Sequence, residues 1–79
     1  MDKNLERKRQ EERVGRCLKA SLKQAGVTYE DLADRLQPFG FKETKASIAS
    51  KLSRGSFSAT FMIAVLKAIG RDSIPLSDI

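Results

Sequence analysis

Seventy-nine residues, 41% hydrophobic and 32% charged, suffice for one modest core and leave too little chain for a deep substrate cleft. Histidine is absent and cysteine occurs once, at Cys17, which excludes a Ser-His-Asp triad, a His-containing zinc site, a thiolate cluster and an internal disulfide. The formal charge of +5 is uneven, since residues 1–25 hold eight Lys or Arg against four acids and residues 26–79 hold seven against six.

The chain opens with MDKNLERKRQEER, charged where a signal peptide needs an apolar run, and its longest apolar run, FMIAVL, is too short to span a bilayer. A cytoplasmic location without membrane contact is expected. The segment KNLERKRQEER has good helix formers but only Leu5 as an apolar residue, so residues 1–12 form either an extension of the first helix or a disordered arm. The cations of this region, Lys3, Arg7, Lys8, Arg9 and Arg13, make it a basic arm; the folded domain is expected at 13–79. Val14, Cys17, Leu18, Ser21, Leu22 and Ala25 recur at helical spacing up to Gly26 and predict the first helix, with Cys17 as a structural thiol on its apolar side.

Thr28 predicts the cap of a second helix, with Asp31 three residues on facing the positive helix end and Leu32, Ala33 and Leu36 as the buried stripe. Pro38 and Gly40 stop it, and Phe39 and Phe41 are expected to pack the connection onto the core. Glu30, Asp31 and Asp34 are read as capping and solvated acids, not as catalytic or metal ligands, so no enzyme activity, cofactor or metal is expected. Thr44 predicts the start of a third helix ending at Arg54, with Gly55 supplying the left-handed terminus. Ile48, Ala49 and Leu52 share one of its faces, while Ser47, Ser50, Arg54 and, at the edge, Lys51 share another. Ser58 caps a fourth helix, SATFMIAVLKAIG, which is apolar nearly all round and must be covered on more than one side. The tail RDSIPLSDI is irregular and a candidate cover for that helix.

Over Val27 to Gly70 the order of VTYEDLADRL, ASIASKLSRG and SATFMIAVLKAIG resembles the Cro and phage-repressor (XRE-type) class of helix-turn-helix domains. T-x-E-D-L-A, followed by Arg-Gly and a capped apolar helix, carries the match over more than half the chain. The chain is also similar to a small bacterial family of unassigned function that shares the long connection, which implies the fold alone. The resemblance implies an all-α, four- to five-helix, lambda-repressor-like bundle with a basic N-terminal arm. It further implies a small homodimeric transcription regulator reading double-stranded DNA in the major groove. Ser47, Ser50, Lys51 and Arg54 are the expected base or groove contacts. Tyr29, Lys42 and Lys45 are the expected phosphate contacts, Tyr29 standing where that class often carries a glutamine. Ser53 stands where an acid or amide is frequent, and QPFGFKE spans about seven residues where the motif uses three or four. The rival expectation is a helical interaction or dimerisation module using residues 58–69, with Phe57, Phe61 and Val65 at the interface and no base readout.

Overall fold

Among the described residues, three of the four α-helices begin where a hydroxyl side chain precedes an apolar stripe. In the computed structural model, which describes residues 3–79, these are α2 (Tyr29–Leu36), α3 (Lys45–Arg54) and α4 (Ala59–Ala68), capped by Thr28, Thr44 and Ser58. Each cap oxygen accepts from the backbone N–H three residues on, at 3.1, 3.0 and 3.0 Å respectively, satisfying a donor that the helix itself leaves open. Ahead of them runs α1 (Lys3–Ala25), and no strand occurs among the described residues.

The alternatives for the N-terminal segment are resolved in favour of helix from Lys3 onward, the first two residues lying outside the described ones. Within α1, burial starts at Gly15 and continues through Leu18, Ser21 and Leu22. The preceding turns therefore project from the core as a helical extension. Leu18 and Leu22 join Leu32 and Leu36 of α2, Ile48 and Leu52 of α3, and Phe61, Ala64 and Val65 of α4, with Val27 beside them, in one core. Helix α3 packs against both α1 and α2, and α2 also packs on α4.

The contact of α1 with α3 is made backbone to backbone. A Cβ at Gly15 would collide with the carbonyl oxygen of Leu52, and one at Gly55 with the carbonyl oxygen of Glu11. Gly55 thus serves twice, since it also ends α3 in the left-handed conformation at φ 66°. Arg35 ties α2 to α4 by pairing with Asp31 at 3.3 Å and donating to the Ala68 carbonyl at 3.2 Å, at the negative end of α4.

The connection between α2 and α3 has a structure of its own. A 3-10 turn, Gln37–Phe39, continues directly from α2 and closes on Gly40, followed by an irregular run into Thr44. Phe41 reaches the core, its ring meeting that of Phe61 edge-on at 5.8 Å. Phe39, expected beside it, is 44% exposed, because the turn directs successive side chains apart.

The side of α4 that carries Phe61, Ala64 and Val65 is covered within the chain. Phe61 is 1% exposed and Val65 0%, so these two residues, expected at an interface between copies, are core residues. Phe57 is half-buried, its ring tilted against that of Phe61 with the centroids 5.5 Å apart. The tail is held on both α4 and α1: the Arg71 backbone N–H donates to the Leu66 carbonyl at 2.9 Å, and its guanidinium donates to Ser21 Oγ at 3.3 Å and to Gln24 Oε1 at 3.4 Å. Cys17 is only half-buried beside this tail. Burial and then the Asp78 carboxylate push its thiol pKa up, against the opposing charge of Arg71, which makes it a poor nucleophile.

Candidate nucleic-acid interface

The start of α3 is set by a reciprocal cap. Thr44 Oγ1 accepts from the Ser47 backbone N–H, and Ser47 Oγ accepts from the Thr44 backbone N–H at 2.8 Å. Ser47 Oγ also lies 2.7 Å from Glu43 Oε1, to which it donates. Glu43 in turn takes an ion pair from Lys51 Nζ, and that ammonium lies 4.7 Å from the centre of the Phe61 ring. The Glu43 side chain is 6% exposed and that of Lys51 31%. Burial pushes the Glu43 carboxyl up, but the hydrogen bonds from Lys51 and Ser47, with the charge of Lys51, outweigh it and hold the group below its ordinary value.

Two of the four residues expected to touch bases are therefore engaged inside the chain. Ser47 spends its hydroxyl on the cap and on Glu43, and Lys51 spends its charge on Glu43 and Phe61. Ser50 and Arg54, the other two, are exposed, and Ala46 and Ser53 are exposed with them. At about 100° per residue Ala46, Ser50, Ser53 and Arg54 form one outward stripe. Ala46 and Ser53 were missed as members of it because Ser47 and Lys51 look equally solvent-facing until Glu43 is in place. The signal available in the sequence was Glu43 itself, an acid just before the cap and four residues ahead of Ser47.

Of the expected phosphate contacts, Lys42 is exposed beside the start of α3. Lys45 is exposed and pairs with Glu30 of α2 at 3.5 Å, with both side chains more than two-thirds in solvent. Such a pair is weak enough to exchange for a phosphate. Tyr29 is partly buried against the core. The arm residues Lys3, Arg7, Lys8, Arg9 and Arg13 are all exposed along α1, so the structure spreads them around a helix instead of gathering them on one face. Among the described residues no group of His, Cys, Asp or Glu is arranged to hold a metal, and no helix is long and apolar enough to cross a membrane.

Fold and surface together define an all-α domain whose third helix presents a small, polar, partly cationic face. Residues 11–74 match a protein family described as a domain of unknown function, DUF6471. That match spans most of the chain, and the chain belongs to this family. No curated protein and no solved structure matches it.

Proposed function

We propose that the chain binds double-stranded DNA as a helix-turn-helix domain, with α2 and α3 as the motif and the outward stripe of α3 directed into the major groove. The observation that carries this reading is the composition of that stripe. Ala46, Ser50, Ser53 and Arg54 leave a narrow helix surface that is small apart from one guanidinium and free of acidic side chains, and Lys42 and Lys45 flank its N-terminal end. A helix entering a groove needs such a profile, with small residues for close approach, hydroxyls and a guanidinium for base edges, and cations at the rim for phosphate. The long connection is compatible with this role because Glu43, Ser47 and Lys51 fasten it to α3.

Titration of labelled random duplex at low and high salt is the first test, and binding should weaken steeply as salt rises. Selection from random duplexes then supplies a site. On it Ser50→Ala, Ser53→Ala or Arg54→Ala should lose roughly 1–3 kcal/mol of discrimination wherever a base contact is removed. Lys42→Ala and Lys45→Ala should weaken selected and random duplexes alike. If no duplex binds at low salt, the reading fails.

The alternative, an interaction module, now depends on Ile63, which is 52% exposed on α4, because Phe61 and Val65 are unavailable. Pairing of two copies on a two-fold DNA site would use this same side of α4. Sedimentation with and without duplex separates the two readings.

A further inference from the structure

A different set of cations from the expected arm shares one face of α1. At about 100° per residue, Leu5, Arg13, Arg16, Ala20 and Lys23 fall within about 40° of Arg9, opposite the buried Leu18 and Leu22, and all six are exposed. Lys3, Arg7 and Lys8 stand about 100° or more from this line. From Arg9 to Lys23 the face carries four cations and no acid over a length of about 21 Å. Glu6 and Glu12 flank it at about 60° to either side. Asp78 of the tail lines a groove beside Arg13 and Arg16, and shares a second groove with Arg71. Although Glu12 lies three residues after Arg9 and four before Arg16, none of the four cations forms an ion pair among the described residues. Arg9 and Arg13, and Arg13 and Arg16, are like charges one helical turn apart, which repel and weaken the helix. An outside polyanion would relieve that repulsion.

Near its middle this line of charge reaches α3. Arg16 lines a groove with Glu12 and Lys19 of α1 and with Leu52 and Ser53 of α3. Ser53 belongs to the outward stripe of α3, so the cationic face and that stripe are neighbouring parts of one surface.

We propose that the outward face of α1 tracks the DNA backbone, with Arg9, Arg13, Arg16 and Lys23 contacting phosphates of one strand beside the groove that α3 enters. The partner is taken from the DNA-binding reading, on which this inference rests, and from the shape of the face. One strand of B-DNA presents a phosphate about every 3.4 Å of axis, so about six pass along 21 Å, enough for a contact to each cation. An anionic membrane fits less well, because an interfacial helix inserts a broad apolar face and the large apolar side chain on this one is Leu5 alone.

The test compares two double variants of the full chain, Arg9→Gln with Arg13→Gln and Arg7→Gln with Lys8→Gln. They lose equal charge from the same part of α1 but from different faces. Binding to random duplex is followed across a salt series, and thermal melts by circular dichroism check the fold. Glutamine is a good helix former and relieves the repulsion, so the first variant should melt no lower than wild type. It should bind duplex about tenfold more weakly, with the salt slope reduced by about two, whereas the second variant should change both far less. Adding Arg16→Gln and Lys23→Gln should bring the reduction in slope to about three or four. Equal losses from the two double variants, with wild-type binding intact, would overturn the tracking face and leave the DNA reading to rest on α3. Capture of the wild-type chain by phosphatidylserine vesicles with no binding to duplex would overturn both, as would the absence of any salt-dependent binding.

Discussion

Replacing Glu43 with glutamine keeps the shape of the side chain and removes the charge that anchors Lys51. The carboxylate is 6% exposed and accepts from both Ser47 and Lys51. A charge-assisted hydrogen bond contributes about 1.5–3 kcal/mol. Lys51, 31% exposed, recovers part of that loss by turning to water, and the amide oxygen keeps the bond from Ser47, so Glu43→Gln should cost about 1–2 kcal/mol. In a domain of this size that lowers Tm by roughly 4–16 °C. Lys51→Met should be worse, at about 2–4 kcal/mol, because it strands the more buried of the two charges. The double variant should be less damaged than the sum of the two. Acid supplies an independent reading. The Glu43 carboxyl is held below its ordinary value of 4.5 when folded, so its contribution is fully present above that value and disappears as pH falls through the folded one. Thermal melts of wild type and Glu43→Gln should accordingly differ at neutral pH and converge in acid. A gap that is zero at neutral pH, or that stays constant down to acid pH, would show that the pair does not fasten the connection.

Gly15→Ala introduces a Cβ against the Leu52 carbonyl, and the helices must separate; a loss of about 1–3 kcal/mol or more is expected in a denaturant melt, although alanine is the better helix former. Phe61→Ala should cost about 3–5 kcal/mol through cavity formation and leave sedimentation of any remaining folded protein unchanged; a shift from dimer to monomer with stability retained would return Phe61 to an interface. Deleting residues 1–9 removes no buried side chain among those described, so Tm should move by only a few degrees while helical signal falls in proportion to length. A cooperative loss of structure would mean that the extension belongs to the core.

What was legible in the sequence was local. Thr28, Thr44 and Ser58 cap their helices, Gly55 ends α3, and Leu32, Leu36, Ile48 and Leu52 face inward as their spacing requires, because capping and helical periodicity act within one or two turns of chain. The site was legible only in outline. Ser50 and Arg54 are exposed as expected, but Ser47 and Lys51 are diverted by Glu43, which belongs to the preceding connection and meets Lys51 only because the 3-10 turn and the cap bring the chain around.

The tertiary structure alone decided the rest. Gly15 in a helical sequence is a weak position until a second backbone lies against it, and then it is a requirement. Phe39 and Phe41, two residues apart with the same chemistry, part company because one side of the turn faces α4 and the other faces water. Helix α4 has an apolar surface too broad for any rule of spacing to say whether a second copy or its own chain covers it. That choice depends on how closely α2, Phe41 and Phe57 approach Phe61, and the packing of separate elements has no periodicity along the chain from which to be read.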